Sequence, residues 1–179
     1  GKSVNVTVEQ KQDLDKYPIF KLPVQMAVFD ATGKHVHKVV IDKVNQSFNF
    51  PISGELKGIH FDDQQMLLAK IKDDKSIEEG IFQFYNGGRF ASRRDGFLLG
   101  TKDKTEVGQK LILDALKDPF WNIRLLATGK VSRLKDENLT KGIAILKDMV
   151  ANDTEASVRA AALNVLAKEL KGEELSATY

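Results

Sequence analysis

Hydrophobic and polar positions along this chain follow two periods in succession. Residues 3–9, SVNVTVE, alternate strictly between polar and apolar, the pattern of a strand with one face buried. In 22–29, Val24, Met26 and Val28 share one face while Ala27 and Phe29 share the other. Asp30-Ala31-Thr32-Gly33-Lys34 is short, carries glycine near its end, and suits a hairpin connection to a strand over 36–41. Phe48 and Phe50 mark a further strand closed by Pro51 and Gly54, and 56–61 and 66–71 bring the expected total to six or seven. No helical pattern interrupts these runs, so they predict a small antiparallel β-sandwich and not a parallel sheet.

Asp73-Asp74-Lys75-Ser76 ends the alternation, which places a domain boundary between 1–75 and 76–179. Ser76 followed by Glu79 is a capping-box pattern for a helix to about Tyr85. Asn86-Gly87-Gly88 then turns the chain into a second helix over 89–99, ended by Gly100. Beyond this the chain repeats itself. Residues 118–134, DPFWNIRLLATGKVSRL, return as 153–170, DTEASVRAAALNVLAKEL, at a shift of 35 residues. Asp118 matches Asp153, Ile123-Arg124 matches Val158-Arg159, Ala127 matches Ala162, Val131 matches Leu166, and Leu111 matches Leu146. Ile123, Ala127, Val131 and Val158, Ala162, Leu166 step by four, so each set lines one helical face with alanine at its centre.

Self-similarity at this period predicts stacked two-helix units, here a degenerate one over 76–100, then 105–134 and 140–170. The pattern Asp, four residues, Val/Ile-Arg, two residues, Ala resembles the second helix of a HEAT-like repeat. Asp118 and Asp153 are placed to cap helix starts, and Pro119 fits a first helical turn. Arg124 and Arg159 recur where each can pair with the repeated Asp of its own or a neighbouring unit, setting the register of stacking. Gly172 closes the last helix and Glu173-Glu174-Leu175 begins another, so the array is expected to be truncated at its C-terminus. The expected fold class is α+β in two domains: an antiparallel β-sandwich followed by an α–α superhelix of HEAT-like hairpins.

Composition narrows the partners. With 42% hydrophobic and 29% charged residues the chain reads as soluble and globular, not disordered. Residues up to Lys75 hold 11 basic and 10 acidic side chains and the remainder 16 and 15, so neither half has the basic excess of a nucleic-acid binder. There is no cysteine, which excludes disulfides and thiolate metal sites and leaves a cytoplasmic or periplasmic location open. No apolar run approaches the ~18 residues of a membrane span.

Candidate chemistry is sparse. His35 and His37 share a strand face, where two metal ligands are geometrically possible, but neither His60 nor any other residue has the spacing of a third. Asp62-Asp63 and Asp73-Asp74 are paired acids at strand ends, where Asp favours turns over general acid–base work. Asn86-Gly87-Gly88-Arg89 offers backbone amides to an anion but lacks the strand-Gly-helix context and the lysine of a phosphate loop. Arg89, Arg93, Arg94, Lys102 and Lys104 form the densest basic cluster, read as a solvated face paired with nearby acids. No catalytic, cofactor-binding or metal residue is therefore assigned. The positions singled out are the structural ones of the repeat: Asp118, Arg124, Asp153 and Arg159.

The strands followed by this helical array resemble the non-catalytic C-terminal part of the zinc aminopeptidases of the aminopeptidase N family, bacterial type. Pro18-Ile19-Phe20-Lys21-Leu22-Pro23-Val24 resembles the lead-in to that family's β-sandwich. Phe48-Asn49-Phe50, Ile59-His60-Phe61-Asp62 and Leu67-Leu68 resemble its closing strands. Lys117-Asp118-Pro119-Phe120-Trp121-Asn122-Ile123-Arg124 resembles a helix start of the bacterial members, followed by the HEAT-like unit at 153–162. The resemblance runs from about Val4 to Leu170.

It implies a parent enzyme that removes N-terminal residues from peptides with one zinc. The sandwich would brace a preceding catalytic domain and the array would gate peptide access. The family's His-Glu-x-x-His, its downstream glutamate and its Gly-x-Met-Glu-Asn are all missing from this sequence. The fragment is therefore expected to be inactive and zinc-free, with the catalytic domain of the same chain as its partner. The alternative is a free-standing HEAT-like module that binds a protein or peptide. A hydrolase in its own right would need a nucleophile–base pair, and there is no Cys and no Gly-x-Ser-x-Gly.

Overall fold

The computed structural model describes residues 1–170 and contains small antiparallel sheets and six α-helices, a mixed α+β protein. Contacts divide it into two compact units. One holds Gly1–Lys75 with Tyr85–Arg93, and the other holds Ser76–Phe84 with the described residues from Arg94 to Leu170. Among the described residues no helix is long and apolar enough to cross a membrane. The helix expected to begin at Glu173 lies outside the described residues.

The first unit has five strands: β1 (Lys2–Glu9), β2 (Leu22–Asp30), β3 (Gly33–Ile41), β4 (Asn45–Ile52) and β5 (Gly58–His60). β1 pairs with β4, placing Val4 opposite Phe50 and Val6 opposite Phe48, and a second sheet runs in the order β3-β2-β5. Both sheets supply one core, Val24, Met26, Val28, Ile41 and Phe50, against which Val4, Val6 and Val8 pack. The alternation of β1 follows from that burial. Its valines turn inward, while Thr7 faces away and meets the Ser47 hydroxyl at 2.8 Å. β2 is covered on both faces, with Ala27 and Met26 alike wholly buried. The β2–β3 hairpin closes through Asp30 opposite Gly33, whose φ of 126° only glycine adopts without strain.

Two expected strands differ. The run 66–71 is not a strand, because Asp62 and Gln65 adopt φ of 47° and 54°. The Asp62 carboxylate also accepts the amides of Met66 (3.0 Å) and Leu67 (2.8 Å), folding the chain into a turn. Leu67 alone of that apolar run packs on the core; Met66, Leu68 and Ile71 are exposed. The run 56–61 contributes only the three residues of β5. Pro51 lies inside β4 near its end, a position that edge strands tolerate.

The helices are α1 (Ile77–Asn86), α2 (Phe90–Gly100), α3 (Glu106–Ala115), α4 (Trp121–Thr128), α5 (Asp136–Asn152) and α6 (Ala156–Glu169). The capping box forms at α1: the Ser76 amide donates to Glu79 at 2.7 Å and the Glu79 amide to the Ser76 hydroxyl at 3.2 Å. α1 and α2 cross closely at Gly96. A Cβ there would stand 2.5 Å from the Phe84 amide nitrogen and 2.7 Å from the Gly80 carbonyl oxygen. Gly96→Ala would therefore force backbone apart, and is expected to destabilise by roughly 1–3 kcal/mol in urea titrations. A cost near zero would show that the two helices are not held at this separation.

The expected helix boundaries shift in the repeated part. α4 stops at Thr128, and Val131 sits in a following 3-10 turn (Val131–Arg133). α5 begins at Asp136 and not near Thr140, because Asp136 and Glu137 supply an acidic first turn that favours helix initiation. The repeat is nonetheless kept in burial. Leu111 and Leu146, Ile123 and Val158, Ala127 and Ala162, and Val131 and Leu166 are all fully buried. α6 packs against both α4 and α5, and α3 against α4 and α5.

Candidate functional site

The three histidines are split between the two faces of one sheet. His35 lies opposite Val28 and His37 opposite Met26 on β3, while His60 of β5 lies opposite Ala27. Successive residues of β2 face opposite ways, so His60 is on the other side of the sheet from the pair. His35 Nε2 is engaged at 2.9 Å by the Thr32 hydroxyl and at 3.1 Å by Asp30 Oδ1. His37 stacks on Phe50 at 4.4 Å between ring centres. Among the described residues no group of three or more His, Cys, Asp or Glu converges on a point that could hold a metal ion.

Asp30 is a hub that sequence reading passed over as part of a loop. Its Oδ1 accepts the Thr32 amide (2.8 Å) and hydroxyl (2.7 Å), and its Oδ2 accepts the Ser53 amide at 2.7 Å. The Ser53 bond, followed by those from Thr32, holds this carboxyl far below the usual carboxylate range. The available signal was the Asp-x-Thr-Gly order, in which Asp bonds to the backbone two residues on.

The acid pairs are taken apart by the fold. Asp62 caps the turn described above, whereas the buried Asp63 binds the Lys34 ammonium at 2.8 and 2.9 Å. Lys34 also lies 5.6 Å above the Phe29 ring centre. Against the same ring, at 4.7 Å, sits His60, with Nδ1 3.8 Å from Asp63 Oδ1. Burial pushes the His60 imidazole down to about 4, with the charges of Lys75 and Lys34 adding to the shift and Asp63 opposing it. Asp73 and Asp74 pair with Lys75 and Lys72.

The basic residues divide between the two units. Arg89 donates to Gln64 Oε1 at 2.9 Å and belongs with Arg93 to the first unit. Arg94 grips its neighbour Asp95 at 2.8 and 3.0 Å in the second unit, where Lys102 and Lys104 are exposed. The Asn86-Gly87-Gly88-Arg89 turn joins α1 to α2, and no strand leads into it.

The repeated positions form a polar network in the second unit. Arg124 Nε and Nη2 grip the two oxygens of Asp153 at 2.7 and 2.8 Å, a two-toothed bond from one repeat to the next. Its Nη1 donates to the carbonyls of Asp118 (2.9 Å) and Pro119 (3.2 Å) in its own repeat. Arg159 Nη1 repeats this toward Asp153 (2.8 Å) and Thr154 (3.2 Å). The Arg124 bond holds Asp153 below the usual carboxylate range, and Asp153 in turn raises Arg124.

The aspartates do not sit at the helix caps expected of them. The caps are Phe120 and Glu155, neither capping through its side chain, and Asp118 and Asp153 stand two residues earlier. From there they hold the amides of Phe120 (2.8 Å) and Glu155 (2.9 Å), so the carboxylate orders the approach to the helix. Pro119 likewise precedes the helix and is not in its first turn.

Beside this pair lies an open groove of about 510 Å³ that the sequence did not announce. Leu116, Ile145 and Met149 line it with Lys117, Asp148 and Asn152. Such a surface offers a side chain an apolar floor and charged or amide partners for its backbone. No protein-family model matches this chain and no curated protein does, so any functional reading rests on its own residues.

Proposed function

We propose that this chain is the non-catalytic C-terminal part of a zinc aminopeptidase of the aminopeptidase N type. In this reading the first unit is a β-sandwich that braces the catalytic domain, and the second is a HEAT-like superhelix that gates access of peptides. The observation that carries it is the number of large apolar side chains left in solvent on the first unit. Leu14, Tyr17, Ile19 and Phe20 lie between β1 and β2, and Met66, Leu68 and Ile71 follow β5. Apolar side chains exposed in such number are what a docking partner would cover. The order of strands, helical hairpins and the 35-residue repeat supports the same reading.

Zinc belongs to the parent's catalytic domain. The residues here do not fit it: His-Glu-x-x-His is missing from the sequence and no three ligands converge among the described residues. No catalytic step is assigned to this chain. The test is the natural gene product: its intact mass, its zinc content, and hydrolysis of an aminoacyl-anilide with and without chelator. A product well above 20.0 kDa with one zinc and chelator-sensitive activity is expected. A natural product of this size, zinc-free and inactive, would sink the reading.

That outcome would leave the second reading, a free-standing module that binds a protein or peptide. The groove beside Arg124 and Asp153 favours it, and peptide capture lost on Lys117→Glu would identify that groove as the site.

A further inference from the structure

We propose that β1 is the dimerisation edge of this chain: two copies join through it as antiparallel neighbours about a twofold axis at Val6, making one sheet in the order β4-β1-β1-β4. β1 (Lys2–Glu9) pairs with β4 on one side and with no strand on the other among the described residues. Its register runs on to Gln10, whose amide donates to the Val44 carbonyl at 2.8 Å. Bonded pairs in an antiparallel ladder come at every second residue, so the even-numbered residues bond to β4. The amides and carbonyls of Ser3, Asn5, Thr7 and Glu9 therefore point to the open edge, and their side chains are exposed. The other open edges are guarded. On β4 the outward row includes Pro51, which has no amide to offer. β3 carries Lys34 and Lys38, and β5 is only three residues long. β1 runs for eight residues with no proline or glycine, and its charges, Lys2 and Glu9, stand at its two ends. Such an edge accepts a further strand unless something blocks it.

The occupant is a second copy because the strand complements itself. With Val6 on the axis, Val4 meets Val8 of the second copy, Asn5 meets its Thr7, and Ser3 meets its Glu9. No like charges oppose one another, and every valine lands on the core face. A shift of one residue would set valines against Asn5 and Thr7 and break both faces. Val4, Val6 and Val8 are half-buried although they pack on Val24, Met26 and Val28, which are at most 5% exposed. A second row of valines would continue that core across the axis. One added ladder covers less than the ~800 Å² per partner of a standard interface, so the dimer is expected to be reversible. The aminopeptidase reading places a partner over 14–20 and 66–71 and makes no use of this edge, so the two can fail separately.

Sedimentation equilibrium of the 179-residue chain across a concentration series is expected to show monomer passing to dimer. Over the same series, amide exchange followed by NMR should slow at Ser3, Asn5, Thr7 and Glu9. It should stay unchanged at Val4, Val6 and Val8, which already bond to β4. Asn5→Lys with Thr7→Lys should abolish the dimer, since lysines then meet lysines. Asn5→Lys with Thr7→Glu should keep it, because across this axis each lysine meets a glutamate. Both positions are exposed, and the amide signals of β1 and β4 check that each variant keeps the fold. A chain that stays monomeric at every concentration overturns the proposal and leaves the edge to a strand of another protein. So does a dimer whose odd-numbered amides exchange unchanged, or one in which the two variants behave alike.

Discussion

Arg124→Ala is expected to lower the melting temperature of the helical unit by roughly 10–20 °C, the equivalent of about 3 kcal/mol in a unit of this size. The substitution removes two charge-assisted bonds to Asp153 and two bonds to the carbonyls of Asp118 and Pro119. More costly is what it leaves behind. The Asp153 side chain is only 4% exposed, so its carboxylate would remain buried with the Glu155 amide as its chief donor. Removing one partner of a buried pair costs more than the pair contributes, because the survivor's desolvation is no longer offset.

Asp153→Asn should cost less than Arg124→Ala, since it removes the charge and keeps an oxygen for the Glu155 amide. The double replacement Arg124→Ala, Asp153→Ala should fall short of the sum of the single ones, which is the sign of direct coupling. Thermal melts followed through Trp121, which opens α4, report on this unit. Single alanine variants that each cost under about 1 kcal/mol would show that the pair behaves as an ordinary surface ion pair.

Acid is expected to loosen the first unit as pH falls from 6.5 toward about 4. His60 is held neutral in the fold down to about 4, against 6.5 for a free imidazole. Between those values the unfolded chain takes up a proton that the folded chain refuses. Stability is therefore fully present above the free value and is lost as pH falls toward the folded one, by up to about 3 kcal/mol. Asp30, Asp153 and Glu137 are held below their ordinary values of 3.8, 3.8 and 4.5, so their contributions are lost only as pH falls beneath these.

Urea midpoints followed by NMR signals of the strands, from neutral pH to about pH 5, should fall in the natural protein. They should stay nearly level in His60→Phe, which keeps a ring against Phe29 and takes up no proton. An equal fall in both proteins would place the acid sensitivity elsewhere.

Much of this molecule is written locally. The strict alternation of 3–9 shows in β1, and Ser76 with Glu79 forms the bonds its spacing implies. The 35-residue repeat survives as matched buried positions even where α4 ends early. These features depend on residues a few places apart, and their physics is that of one strand, one helical face or one cap. Arg124 and Arg159 could be picked out for the same reason, since like residues at like helical positions recur.

Other features were decided by which elements pack together. The run 66–71 has a composition suited to a strand, yet Asp62 turns it outward, because a carboxylate that binds two successive amides competes with the sheet for them. Whether Arg124 reaches the aspartate of its own unit or of the next could not be read from the chain. The fold places Asp153 at its fork and the carbonyls of Asp118 and Pro119 at its Nη1. The three histidines do not share one face, because the pleat of β2 sends His60 to the opposite side from His35 and His37. Periodicity comes from the backbone's own geometry and is carried by adjacent residues. Burial, pairing and the pKa of His60 come from partners tens of residues away, and only the packed chain brings those together.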